Sequence, residues 1–128
     1  MTALAHQATT PFGALLRRAV EATPGAVGGA FAAYDGELVD SYATWDADDW
    51  AVLTAHYGIV MSHLRAAFGT WHYGSPEYFI VQHAKLAVLV HEVDAGYYVL
   101  MAVVEPACLA MGLAAIREAA RSAAREMT

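Results

Sequence analysis

Two neighbouring segments, Leu86 to Val93 and Tyr97 to Val104, begin Leu-Ala-Val-Leu-Val and Tyr-Tyr-Val-Leu-Met-Ala-Val-Val, with no polar residue at alternate positions. A strand with one wet face alternates apolar and polar side chains, because successive residues point to opposite faces. Strands apolar on both sides are covered on both sides. Asp94-Ala95-Gly96 between them is a tight turn, which makes the pair antiparallel. This chain must therefore place helices on both faces of a sheet, in three layers.

The remaining elements fit that frame. Thr10-Pro11 opens a first helix, with a hydroxyl at the N-cap and proline where its missing N–H costs nothing. Phe12, Leu15, Leu16, Ala19 and Val20 recur at helical spacing until Thr23-Pro24-Gly25 ends it. Ala26 to Tyr34 and Glu37 to Ala43 read as a hairpin about Asp35-Gly36, with Leu38, Asp40 and Tyr42 on one side and Val39 and Ser41 on the other. Gly28 and Gly29 let something pack closely over the first of these strands. Asp46, Asp48 and Asp49 favour the start of a long helix that runs to about Phe68 and ends at Gly69. Glu77 to His83 forms a third strand ahead of the two apolar ones. Pro106 opens a last helix carrying Leu109, Leu113, Ile116, Ala120, Ala123 and Met127 on one stripe. The sequence thus predicts an α+β fold, a three-layer α/β/α sandwich in the order α-β-β-α-β-β-β-α with a five-stranded antiparallel sheet. Residues 1–9 read as a flexible tail and residues 10–128 as a single domain.

The long helix has more apolar surface than one sheet can cover. Trp50, Leu53, Tyr57, Val60, Met61, Leu64 and Phe68 form one stripe, and Val52, Ala55, Ile59 and Ala66 form a second on nearly the opposite side. Thr54, Ser62, Arg65, Ala51 and Gly58 occupy the sector between. One stripe covers the chain's own sheet and the other needs a partner; the wheel alone does not choose between them. The candidate self-association residues are Val52, Leu53, Ala55, His56, Tyr57, Gly58, Ile59, His63, Leu64 and Ala66. Gly58 is among them because a mid-helix glycine allows close helix–helix approach.

Apolar residues make up 58% of the 128 and charged residues 16%, which excludes disorder and is generous for a monomer this small. The net charge of −6 argues against nucleic acid and anionic membranes as partners. The longest run free of formal charge, Trp50 to Leu64, is too short and too polar to span a bilayer. With no signal-like N-terminus and one cysteine, Cys108, the chain reads as cytoplasmic.

Leu15-Leu16, then Thr23-Pro24-Gly25-Ala26-Val27-Gly28-Gly29-Ala30, the Asp35-Gly36 turn, Lys85 to Val90, Tyr98 to Val104 and Leu109-Ala110-Met111-Gly112-Leu113 together resemble the Roadblock family, of which the dynein Roadblock-type light chain is one member. The resemblance covers about Phe12 to Glu126. The aromatic stretch Trp71-His72-Tyr73 and the histidines of the long helix depart from the family pattern. The resemblance implies the Roadblock (profilin-like) fold and a homodimer joined through central helices and sheet edges. It also implies a non-catalytic adaptor or regulator that binds a small Ras-like GTPase, a motor or polarity complex, or another Roadblock-like protein. A small-molecule-sensing domain of similar architecture is the alternative.

The residues themselves nominate no catalyst, cofactor or metal. His56 and His63 are seven apart, roughly 10 Å along a helix, too far to share one ion directly. Cys108 has no histidine beside it in sequence and reads as a small buried hydrophobe. Gly28-Gly29 lacks the Gly-Lys-Ser/Thr ending of a phosphate loop. Five of six arginines lie in the first and last helices, so Arg17, Arg18, Arg117, Arg121 and Arg125 are candidates for docking a partner if those helices share a face.

Overall fold

A computed structural model describes residues 10–69, 72–94 and 96–128. The expected N-terminal tail and Trp71 lie outside them. The order is α1 (Pro11–Glu21), β1 (Ala26–Ala33), β2 (Leu38–Ala43), α2 (Ala47–Phe68), β3 (Tyr78–Gln82), β4 (Ala87–Glu92), β5 (Tyr97–Val103) and α3 (Leu109–Glu126). The five strands form one antiparallel sheet in the order β2-β1-β5-β4-β3. Thr10 caps α1 by accepting from the Gly13 N–H at 3.3 Å, and Asp46 caps α2 by accepting from the Asp49 N–H at 3.1 Å.

The apolar strands explain the layering. Leu89, Val99 and Met101 face Leu16, Ile116 and Ala120 of α1 and α3. Their neighbours Val88, Val90, Tyr98 and Leu100 face Trp50 and Met61 of α2. Each of these strands therefore contributes to two cores, one on each side of the sheet.

Three local expectations are corrected. First, Leu38, Asp40 and Tyr42 do not share a side: the register slips between Phe31 and Ala32, so Phe31 pairs with Asp40 and Ala32 with Leu38. The extra residue, Val39, switches the face of the residues after it. Leu38 packs with the α2 core, whereas Tyr42 packs with the α1–α3 core. Second, α3 begins at Leu109 rather than at Pro106. The Val104 N–H donates to Gly25 O at 2.8 Å, and residues 105–108 cross the α1–β1 connection before the helix starts. Cys108 is in consequence exposed at the N-cap rather than buried. Third, Gly69 ends α2 with φ −63°, so no left-handed glycine cap is used.

Gly28 meets its expected purpose. A Cβ there would lie 2.5 Å from Ala43 Cβ and 2.9 Å from Trp50 Cζ2 and Cη2, so the indole can lie directly on the strand only over glycine. Gly28→Ala is expected to lower folding stability by about 1–3 kcal/mol through overpacking, read from chemical denaturation. An unchanged midpoint would mean that α2 can lift away freely.

Candidate protein-interaction surface

The sheet-facing side of α2 is fully engaged. Trp50 and Met61 are completely buried, and Leu53 packs beside them. The Tyr98 hydroxyl rises from β5 and donates to Thr54 O at 2.6 Å, while Thr54 turns its own hydroxyl onto Trp50 O at 2.8 Å. Gly58 makes room for this: a Cβ there would lie 2.9 Å from the Tyr98 hydroxyl oxygen and 3.3 Å from Tyr34 O. The close approach expected of Gly58 is thus to its own sheet, and Tyr57 and Gly58 are buried inside the chain rather than offered to a second one. The sector that reads as polar on the helical wheel, Thr54 and Gly58 included, turns inward because the Tyr98 hydroxyl needs a buried acceptor.

The middle and the C-terminal turns of the helix are strapped to the sheet side. Arg65 lies 5.2 Å over the Tyr34 ring and pairs with Glu92 at 2.8 Å. Tyr57 stacks on Phe79 at 6.3 Å, and its hydroxyl shares a hydrogen bond with His83 Nε2.

What remains outward is the second stripe. Val52 and Ile59 are more than half exposed, at 56% and 53%, and Val60 and Phe68 add further apolar surface. His56, His63 and Ala66 are exposed among them, with Ala55 and Leu64 half-buried at the margins. Exposed apolar side chains grouped on one side of a helix make that side the candidate contact face. The structure thereby chooses between the stripes: Val52, His56, Ile59, His63 and Ala66 remain candidates for contact, and Leu53, Tyr57 and Gly58 belong to the chain's own fold.

The arginines do not form one patch. Helices α1 and α3 do share a face, packed over one core. Arg17, however, leans over Tyr42 of β2 at 5.6 Å, and Arg117 leans over Tyr78 of β3 at 5.3 Å, at opposite edges of the sheet. Arg18 lines a groove between the two helices with Ala19, Ala115 and Ala119. Arg117 and Arg121 line a separate cleft of about 420 Å³ with His91 and Glu77. Arg17 and Arg125 are paired with Glu21 and Glu118 at 3.2 and 3.4 Å. Of the acidic residues between Asp35 and Asp49, three are structural: Asp35 accepts from the Glu37 N–H in the hairpin turn at 3.0 Å, Asp46 caps α2, and buried Asp40 accepts from the Thr10 hydroxyl.

Among the described residues no group of three or more His, Cys, Asp or Glu could hold a metal ion. His83 meets Tyr57 on the α2 side and His91 shares the cleft with α3, so these two face opposite ways. Among the described residues no helix is long and apolar enough to cross a membrane.

Burial raises the Tyr98 hydroxyl pKa far above its ordinary value of 10, and raises Tyr34 and Tyr57 in the same direction. The folded chain then holds protons that the unfolded chain releases. Stability is complete below about pH 10 and is lost as pH rises from there toward the folded-state values. Urea midpoints are expected to be level to about pH 9 and to fall by pH 11, with a shallower fall in Tyr98→Phe. A level profile throughout would contradict this.

A scan against protein-family models and a search of curated proteins find no match. Solved structures do match. The Roadblock/LC7 domain from Streptomyces avermitilis superposes with a TM-score of 0.79 at 16% identity, over 88% of this chain and 94% of that one. The chain has the Roadblock fold. A Roadblock likeness of the same order holds for the gliding protein MglB from Thermus thermophilus, with a TM-score of 0.80 at 14% identity over 98% and 96% of the two chains. A further MglB, described in a tetrameric arrangement, gives 0.79 at 14% identity over 98% and 95%. At these identities the Roadblock likeness is one of architecture.

Proposed function

We propose that this chain is a non-catalytic, self-associating regulator or adaptor of the Roadblock type that acts on a small Ras-like GTPase or a polarity or motor complex. One observation carries the reading. The sheet-facing side of α2 is filled, yet the opposite side still exposes Val52, Ile59 and Val60 on a fixed helix. A second copy of the same helix is the simplest cover, since an isologous contact needs only one self-complementary patch. The tetrameric arrangement of one similar structure, and the gliding protein identity of another, support an assembling regulator. With no phosphate-loop sequence, nucleotide binding belongs to the partner.

Light scattering at micromolar concentration is expected to give about 27 kDa, twice the 13.7 kDa chain. A mass of one chain at every concentration would sink the pairing. Calorimetry with GTP is expected to show no heat of binding by the isolated chain, and measurable binding would overturn the regulator reading.

Partner docking on the α3 side is the finer proposal. Reversing Arg117, Arg121 and Arg125 to glutamate is expected to leave the fold intact, because exposed ion pairs contribute on the order of 1 kcal/mol or less. It is also expected to slow association with an acidic partner and to flatten its salt dependence. Unchanged association in the folded triple variant would leave these arginines as solvated surface.

A further inference from the structure

The outward stripe of α2 reads the same in both directions. Val52, His56 and Ile59 are followed by Val60, His63 and Ala67, at successive separations of four, three, one, three and four residues. The pattern is apolar, His, apolar, apolar, His, apolar, mirrored about the Ile59–Val60 bond. All six lie on the side turned away from the sheet and are exposed. A two-fold axis through the centre of that stripe, perpendicular to the helix, lays a second copy antiparallel on the first. Apolar residues then meet apolar residues, and His56 of each copy comes opposite His63 of the other.

His56 is already oriented for ligation. Its Nδ1–H donates to Val52 O at 2.9 Å, one turn back on the same helix. That bond fixes the tautomer and leaves Nε2, with its lone pair, as the free end of the ring. Metal-bound histidines are held in this way, one ring nitrogen donating to a carbonyl and the other binding the ion.

Within one chain the two rings are about 10 Å apart along the axis and cannot share an ion, since zinc–nitrogen bonds are about 2 Å. Across the two-fold they can. We propose that the α2 pair carries two symmetry-related transition-metal sites, each built from His56 of one copy and His63 of the other. The inference rests on the self-association proposed above. The donors are neutral imidazoles, which favour zinc, nickel or copper(II) over magnesium or calcium. Asp48 and Asp49, the acids of α2, are two turns or more from His56, so α2 adds no carboxylate and the remaining coordination positions fall to water or to the Asp35–Glu37 turn, whose Gly36 lies against Ala55. Such a site is exchangeable and tightens the pair in proportion to free metal, because the ion binds the paired form and not the single chain.

The test uses the full chain and zinc chloride. Calorimetry is expected to give one zinc per chain that depends on both His56 and His63, with half-saturation on the order of 10 µM. Sedimentation is expected to show the monomer–dimer midpoint lowered about a hundredfold by zinc at about ten times its half-saturation concentration, since two sites form per dimer, and restored by EDTA. His56→Gln and His63→Gln are each expected to lose this zinc completely while remaining folded and still pairing without metal, since every site uses one of each. Co-expressing the two variants rebuilds one intact His56–His63 pair in the mixed dimer. With random pairing this recovers about a quarter of the wild-type zinc. A wild-type dimer that takes up no zinc, a single variant that keeps it, or a mixture that recovers none would overturn the metal sites while leaving the dimer standing. A chain that stays monomeric with and without zinc would overturn the pairing itself.

Discussion

Ile59→Asp is expected to give a folded chain that no longer self-associates, with its dissociation constant raised about a thousandfold. Ile59 is 53% exposed in the single chain, so a carboxylate there stays in water and changes monomer stability by no more than about 0.5 kcal/mol. In the metal-free pair it would be buried twice, once from each copy, against Val60 and neutral imidazoles, with no formal cation to offset it. A cost of roughly 2 kcal/mol per copy yields the stated factor. Leu64→Asp is the informative contrast, because Leu64 is half-buried at the margin and its replacement is expected to cost folding stability as well. Circular dichroism and sedimentation on the same samples separate the two effects. A folded Ile59→Asp dimer would remove α2 from the contact.

Trp50→Ala is expected to be the most damaging single substitution in the fold, costing about 3–5 kcal/mol. The indole is wholly buried and spans the space between α2 and the strand it covers at Gly28. It also stands edge-on to Trp45, 5.6 Å between ring centroids. Alanine leaves a large cavity in a layer one helix thick, where little can move in to fill it. Trp50→Phe separates packing from polarity, because Trp50 Nε1 is buried with no hydrogen-bond partner. Phenylalanine keeps most of the ring and removes that unsatisfied donor, so its cost is expected to be under about 1.5 kcal/mol. Equal losses in the two variants, followed by circular dichroism through a guanidinium titration, would refute the cavity account.

The layer order was legible in the sequence because it depends on periodicity alone. Strands without alternation must be covered twice, and that holds whatever the loops do. Faces within the hairpin were less legible, since Val39 looks like any other strand residue and only the observed register makes it the extra one. The inward turn of Thr54 and Gly58 was hidden for a related reason. A helical wheel ranks residues by polarity, whereas here a tyrosine hydroxyl from another strand, Tyr98, reverses the preference by needing an acceptor and space. The scatter of the arginines came from the sheet order: residues grouped on two adjacent helices lean outward to tyrosines on its two edges. His56 and His63 could be placed on one helical face from their spacing, but which face turned outward required the buried side to be known.

The strand order has a consequence for how the chain is made. β1 lies between β2 and β5, and Ala30 pairs with Leu100, seventy positions later. While the polypeptide emerges from the ribosome, the first hairpin therefore has one open edge and apolar faces with nothing to lie against until β5 arrives. No early fragment is a closed unit: a chain stopped before β5 lacks the strand that joins the β1–β2 hairpin to the β3–β4 hairpin. Such non-local closure makes folding slow compared with helical bundles of the same length. It leaves an unpaired β1 edge exposed for as long as synthesis takes, so nascent chains of this protein are natural clients of whatever shields strand edges at the exit tunnel.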